Sequence, residues 1–252
     1  IVIGNTDKLS NRLTSYMELQ KPRLSFLVAF SAAFGFLLGT KGVPDLIILL
    51  MLSLGSFFIS GAAVTINQII ERNLDALMKR TSERPIPTSK ITYQEAIIYG
   101  IVVLLIGVFL VAYNTNIFAS TLAILSLIIY AFMYTPLKRV GPIAVFVGAI
   151  PGALPPLIGW VAATGTLSYE AWIIFGIQFI WQFPHFWAIA WVSDDEYKKA
   201  GFKLLPGSGK KVTTVKSNTG KPKSAGPTLK FPSSNNPDDS NLSTKSILGV
   251  IG

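Results

Sequence analysis

The sequence predicts an all-α fold, a polytopic bundle of transmembrane helices with about six spans. Half of the 252 residues are hydrophobic and only 14% are charged, whereas a soluble domain carries about a quarter charged residues. The apolar residues fall in runs that do not alternate as strands do, and each run is close to the roughly 20 residues that cross a bilayer. Basic residues flank these runs, so we expect a lipid bilayer around the chain and no nucleic-acid partner.

The elements follow in order along the chain. The polar segment before residue 22 predicts a surface helix near residues 13–19. In lipid the backbone polar groups must pair within each segment, so we predict that every apolar run is a helix. Six runs predict six spans: 24–40, 44–70, 96–113, 117–134, 142–163 and 171–192.

Composition divides the chain into two expected parts. Residues 1–206 hold the apolar runs and are expected to form an intramembrane domain. Residues 207–252 are polar and contain too few large apolar side chains to build a core, so we predict a disordered tail. The absence of cysteine excludes disulfides and thiolate metal sites.

The distribution of basic residues predicts the orientation in the membrane. Lys and Arg cluster before the first span, after the second, after the fourth and after the sixth, whereas the alternate connections hold only Lys41. Basic loops mark the cytoplasmic or matrix face, so all the charged loops share that side. No signal or transit peptide is visible, which favours a bacterial inner (plasma) membrane over a mitochondrial inner membrane.

An acidic face is expected where the second span ends. Asn67, Glu71 and Asp75 are spaced i, i+4, i+8, which places them along one face of a helix with about 6 Å between successive turns. Two carboxylates and an amide suit Mg²⁺, which often binds through carboxylates and substrate phosphates. The same spacing also fits interfacial carboxylates that pair with nearby cations, and the spacing alone leaves both readings open.

Cations suited to a diphosphate follow these acids in the sequence. In the loop after the second span they are Arg72, Lys79, Arg80 and Arg84. Lys138 and Arg139, after the fourth span, are expected to stabilise a leaving diphosphate further. Tyr134 lies near that basic loop and is a candidate cavity or interface residue.

A second acidic group ends the sixth span. Asp194 and Asp195 lie there, with Lys199 shortly after them, on the same predicted membrane face as the first group. Two acidic clusters on one face, each followed by basic residues, predict a two-metal clamp around a diphosphate. The alternative is that these acids close a helix and solvate a loop; the two clusters taken together favour a site.

Three long segments of the chain resemble the protohaem IX farnesyltransferase (haem O synthase) family. They are NQIIERNLDALMKRTSERPIP, YTPLKRVGPIAVFVGAIPGALPPLIGW and WQFPHFWAIAWVSDDEYKKAGFKLLP. This family belongs to the intramembrane prenyltransferase superfamily typified by 4-hydroxybenzoate polyprenyltransferase, and the resemblance covers residues 18–206. It implies that the first metal-binding motif falls on Asn67, Glu71 and Asp75. The second motif falls on Asp194 and Asp195.

The resemblance implies an activity. Farnesyl diphosphate would be the donor, a vinyl group of protohaem IX the acceptor, and haem O and diphosphate the products, for biogenesis of haem–copper oxidases. Mg²⁺ would be the cofactor, and a haem A synthase would act downstream. Two alternatives stay open: a prenyltransferase with another aromatic acceptor, such as a quinone precursor, and a membrane transporter, whose charges also lie near helix ends.

His185, the only histidine, lies near the middle of the sixth span. Ionisable residues within membranes mark functional sites, and imidazole can ligate haem iron, so the resemblance makes His185 a candidate haem contact. The alternative is a packing histidine bonded to a carbonyl that Pro184 frees.

The chain departs from the family in two places. Asn73 stands where relatives commonly have Asp, outside the i, i+4, i+8 row, so we expect it to tune the site rather than abolish it. Relatives also continue after residue 206 with about three further spans, each of the length that crosses a bilayer. The chain is therefore expected to be incomplete at its C-terminal end.

Overall fold

The computed structural model describes residues 3–205, together with the side chains of residues 12–205 except that of Asp195. All regular secondary structure in this part of the chain is helical. The predicted polar tail at 207–252 lies outside the described residues, so the division of the chain into two parts stays a prediction.

Within residues 3–205, six helical segments are long and apolar enough to cross a membrane, which confirms the six predicted spans. The largest difference is at the second span, which continues as a helix to Asp75 rather than ending near residue 70. The helices are α1 Ile3–Gln20, α2 Pro22–Gly39, α3 Leu46–Asp75, α4 Tyr93–Asn114, α5 Ile117–Ile128, a π-helical turn Ile129–Tyr134, α6 Thr135–Leu137, α7 Ile143–Thr164, α8 Tyr169–Val192 and α9 Asp194–Lys199. α5, the π turn and α6 together form the fourth span.

Side-chain caps start the membrane helices α3 and α4. The Asp45 carboxylate accepts hydrogen bonds from the backbone N–H groups of Ile47 and Ile48, at 2.8 and 3.2 Å, at the start of α3. Thr92 and Glu95 form a capping box at the start of α4. These bonds satisfy N–H groups that have no partner within the helix, and they fix where each span begins.

Close contact between α2 and α7 depends on glycine. A Cβ atom on Gly35 would lie 2.0 Å from the carbonyl oxygen of Pro156, and one on Gly159 would lie 1.9 Å from that of Ala32. Only a residue without a side chain therefore fits at these two crossing points, as is common between membrane helices. The glycine- and proline-rich sequence of α7 serves helix packing here.

The end of α1 is attached to the middle of α3. Gln68 donates a hydrogen bond from Nε2 to the carbonyl oxygen of Leu19 (2.9 Å), and Gln20 donates one to that of Phe57 (3.0 Å). The predicted surface helix near residues 13–19 is part of α1. These bonds place the α1–α2 junction beside the polar half of α3.

The spans differ in how much of them is covered by protein. α3 contacts α1, α2, α4, α5 and the π turn, and 44% of the residues in its apolar 18-residue stretch are buried. α8 lies at the edge of the described bundle against α7, and only 11% of the residues in its apolar 18-residue stretch are buried. The helix that carries the first acidic group is therefore central, and the helix before the second is peripheral.

Candidate functional site

The acidic face of α3 is buried. Asn67, Glu71 and Asp75 are at most 5% exposed and lie on successive turns of the helix. Asn67 donates hydrogen bonds from Nδ2 to Glu71 Oε2, at 2.9 Å, and to Thr135 Oγ1, at 3.0 Å. Burying polar groups is costly unless they are paired, so this row of side chains is an ordered unit rather than a solvated helix surface.

Lys138 pairs with Glu71 across the site. Its Nζ donates to both carboxylate oxygens, at 2.9 and 3.0 Å, and both side chains are largely buried. The same ammonium group lies 4.9 Å from the centre of the Tyr134 ring, a cation–π contact. The structure thus brings these two sequence-predicted residues to the first acidic group.

Only one of the two carboxylate oxygens of Asp75 has a hydrogen-bond partner among the described residues. Arg84 donates from Nη1 to Asp75 Oδ2 at 2.6 Å, while Asp75 Oδ1 is buried and has no hydrogen-bond partner among the described residues. The buried Nε of Arg80 also lacks a partner in this part of the chain. The turns after α3 fold back on it, since Thr81 donates to the Asp75 carbonyl oxygen at 2.9 Å. An unpaired carboxylate oxygen and an unpaired N–H group suit a metal ion and an anion, respectively.

Thr135, which directly follows the π-helical turn, is a site residue that sequence reasoning missed. Its hydroxyl is buried, accepts the bond from Asn67, and donates to the carbonyl oxygen of Tyr130 at 2.9 Å. π turns within helices are frequent at functional sites, and this one places Thr135 beside α3. The only sequence signal was its position immediately before Pro136 and the basic loop.

The second acidic group lies on the short helix α9. The Asp194 carboxylate forms an ion pair with Lys198 one turn later and is partly exposed. The Asp195 side chain lies outside the described residues. Among the side chains that the structure does describe, no group of three or more His, Asp or Glu residues is placed to hold one metal ion.

The segments that carry the two acidic groups nevertheless meet. Met78, just after α3, packs in one buried cluster with Ala200 and Phe202, just after α9, and Leu74 and Tyr197 pack against it. Burial raises the pKa of the Tyr197 hydroxyl above its ordinary value. The structure therefore brings α9 to the polar end of α3 without bringing Asp194 into a shared carboxylate cluster.

Several predicted cations lie away from this buried unit. The Arg72 guanidinium lies over the Tyr93 ring, 4.7 Å from its centre. Lys79 and Lys199 are exposed. His185 is exposed on α8 and lies edge-on to a neighbouring ring of the same helix.

A cavity of about 290 Å³ opens beside Glu71. Apolar side chains cover part of its wall, and polar groups from α3 and the basic loop cover the rest. Its lining residues are Ile70, Glu71, Leu74, Thr135, Pro136 and Arg139. Arg139 is an exposed residue overall, and it contributes to the site as part of the wall of this cavity.

Lys21 is a second residue that sequence reasoning missed, because it was counted only as a basic loop residue. It lies between α1 and α2, is partly buried, and interacts electrostatically with Arg80, Arg84 and Asp75. Burial, followed by the nearby Arg84 and Arg80 charges, lowers the pKa of Lys21 to about 7. The signal available was a lysine immediately before Pro22 at the polar face of the membrane.

Comparison with known proteins gives a consistent set of relatives. Residues 28–217 match the model of the UbiA prenyltransferase family. The chain is 50% identical over 210 residues to a protoheme IX farnesyltransferase of Cytophaga hutchinsonii, covering 82% of this chain and 73% of that protein. It is 44% identical over 194 residues to one of Christiangramia forsetii, covering 77% of this chain and 64% of that protein.

A solved structure shares the fold. It is that of a UbiA homologue from Archaeoglobus fulgidus bound to DMAPP and Mg²⁺. The TM-score is 0.59 and the sequence identity 25%, over 75% of this chain and 67% of the other. The helical bundle described above is thus of a known membrane type.

Proposed function

Because the chain belongs to the UbiA prenyltransferase family, we propose that it transfers the farnesyl group of farnesyl diphosphate to a vinyl group of protohaem IX. The products are haem O and diphosphate, and a haem A synthase is the enzyme class that would take up the haem O. The names of the two bacterial relatives support protohaem as the acceptor and farnesyl diphosphate as the donor.

One observation carries the proposal at the level of chemistry. The buried row Asn67, Glu71 and Asp75 ends in a carboxylate oxygen that has no hydrogen-bond partner among the described residues, beside cations that later segments supply. A transporter site would not require such a concentration of both charge signs at one end of a helix. Metal-assisted transfer from a diphosphate does require it.

The residues present fit Mg²⁺. Asp75 Oδ1 is buried and unpaired within the part of the chain that the structure describes, and Glu71 lies one turn away on the same face. These two carboxylates would hold the ion, and Asp194 and Asp195 are proposed to complete the site. When bound, Mg²⁺ would supply positive charge at the leaving diphosphate. The Mg²⁺ and DMAPP in the Archaeoglobus fulgidus homologue support this choice.

The cations of the chain bind the leaving group. Arg80 donates from its free Nε, and Arg84 and Lys138, now paired with Asp75 and Glu71, are placed to donate to phosphate oxygens. These charge-assisted bonds strengthen as the C–O bond breaks and its electron pair moves to the diphosphate. Four further cations are proposed to serve the entry path: Arg72, Lys79, Arg139 and Lys199.

Apolar surroundings protect the allylic cation that remains. Ile70 and Leu74 line the cavity beside Glu71, and the buried Tyr134 ring lies behind Lys138. The vinyl π electrons of the acceptor form the new C–C bond, and one water molecule then adds to the other vinyl carbon and loses a proton. Excluding further water prevents simple hydrolysis. His185, exposed on α8, remains a proposed contact for protohaem.

The location follows from the spans. The chain is a multi-pass membrane protein. The bacterial relatives support the bacterial plasma membrane. The clustering of basic loops at the polar end of α3 supports a cytoplasmic active site.

The test is an acceptor assay on the purified chain in detergent. With farnesyl diphosphate and Mg²⁺, we expect haem O and diphosphate to form from protohaem, and nothing to form from 4-hydroxybenzoate. Chelation of the metal should abolish release of diphosphate, and added Mg²⁺ should restore it. Formation of a prenylated hydroxybenzoate would show that protohaem is not the specific acceptor. Absence of diphosphate release with either acceptor would contradict the proposed prenyltransferase activity.

A further inference from the structure

The α1–α2 junction is held against the polar half of α3. Gln68 binds the Leu19 carbonyl oxygen, and the Gln20 side chain packs so closely on α3 that a Cβ atom on Gly61 would lie 2.0 Å from it. Lys21 is the next residue. Its position relative to α3 is therefore set by the packing of the two residues that precede it.

The backbone of Lys21 is strained. Its φ of 45° and ψ of 68° lie in the left-handed region, which a non-glycine residue adopts at an energetic cost. Such conformations persist where the surrounding structure requires them, and they are frequent at ligand sites. A glycine would relieve the strain here, and the presence of a lysine instead directs attention to what its side chain contacts.

The charged groups that act electrostatically on the Lys21 side chain are mainly cations. Arg84, Arg80 and Lys138 act on it as cations, and Asp75 is the one carboxylate among these neighbours. That carboxylate is already paired with Arg84, and Lys21 forms no ion pair with the described residues. Four cations held together at a partly buried site, with no free counterion for Lys21, match an anion that carries several charges.

We propose that Lys21 is a substrate-binding residue whose ammonium group binds the diphosphate of the prenyl donor together with Arg80 and Arg84. This inference rests on the proposed function for the identity of the anion. Nearby positive charge and burial favour neutral Lys21 before the diphosphate arrives, and the diphosphate favours the charged form. Binding above pH 7 is therefore coupled to uptake of a proton by Lys21.

The experiment is calorimetric binding of inorganic diphosphate, in the presence of Mg²⁺, to the full chain in detergent. We expect K21M to bind at least about tenfold more weakly, as loss of a charge-assisted hydrogen bond implies. K21R should bind within about threefold of the wild type, because arginine keeps the charge and the donors. The matched control is K90M, which removes an exposed lysine from the connection between α3 and α4 and should bind like the wild type.

A second readout separates binding from a structural role. Repeating the titration at pH 8 in buffers of different ionisation enthalpy counts the protons taken up. The wild type should take up more protons than K21R, since burial and nearby cations lower the pKa of Lys21 to about 7 and leave much of the amine neutral at pH 8, whereas arginine stays charged. Wild-type affinity in K21M, equal loss in K21M and K21R, or equal proton uptake by wild type and K21R would each overturn the proposal. Because no haem acceptor is present, a failure to make haem O would leave this result intact.

Discussion

The two acidic groups of this chain look alike in the sequence and differ in the structure. Each ends a membrane span and is followed by basic residues. Glu71 and Asp75 are buried and held by Lys138 and Arg84, whereas Asp194 is partly exposed and pairs with a lysine of its own short helix. The first group is thus shaped by distant parts of the chain, and the second by its own helix.

The difference follows from how the carrying helices are packed. α3 is surrounded by α1, α2, α4, α5 and the π turn, so its polar end is covered and its side chains must find partners. α8 contacts mainly α7, and α9 follows directly after the end of α8. A run of acids at a helix end therefore becomes an ordered site only where other elements enclose it.

The largest effect is expected at the enclosed group. Asp75→Asn keeps the shape but removes the charge at the unpaired oxygen, and we expect the rate of diphosphate release to fall by about a thousandfold. The control is Asn73→Ala, which should stay within about twofold because Asn73 is exposed and lies outside the i, i+4, i+8 row. More than a tenth of wild-type activity in Asp75→Asn would contradict the assignment of this group.

A smaller effect is expected at the exposed group. Asp194→Asn should raise the Mg²⁺ concentration needed for half-maximal activity about tenfold, as loss of one of several metal contacts does. Lys198→Met removes the partner but keeps the carboxylate, so it should leave the Mg²⁺ requirement unchanged. If Asp194→Asn has the wild-type requirement, the second group is a solvated helix end.

The smallest effect is expected behind the enclosed group, at Thr135. Thr135→Val removes the hydroxyl that accepts from Asn67, and the loss of about 1 kcal/mol corresponds to about a fivefold drop in kcat/KM. Thr135→Ser keeps the hydroxyl and should restore most of the activity. Equal activities in the Val and Ser variants would show that this hydrogen bond does not position the acidic row.

Local periodicity made much of the fold and half of the site predictable. Runs of apolar residues are visible along the chain, and so is the spacing that places Asn67, Glu71 and Asp75 on one face. The enclosing contacts were not visible, because they depend on tertiary packing. No local sequence pattern predicts that Lys138 forms an ion pair with Glu71, which is 67 residues away.

The same reason explains the residues that sequence reasoning missed. Thr135 enters the site through a π turn, and Lys21 through a left-handed backbone conformation. Neither conformation has a strong sequence signal in a residue other than glycine or proline. The sequence did predict the basic loop residues as a group, but not their separate partners. Lys138 and Arg84 pair with the acids, while Arg72 lies over the Tyr93 ring.

The two ion pairs at the enclosed group have a consequence for the order of binding. Lys138 is paired with Glu71 and Arg84 with Asp75, so a metal ion alone must compete with these two cations for the carboxylates, and a diphosphate alone must compete with the carboxylates for the two cations. When both ligands are present, every group exchanges one counterion for another and none is left bare. We therefore expect positive heterotropic cooperativity, in which each ligand raises the affinity for the other by the same factor.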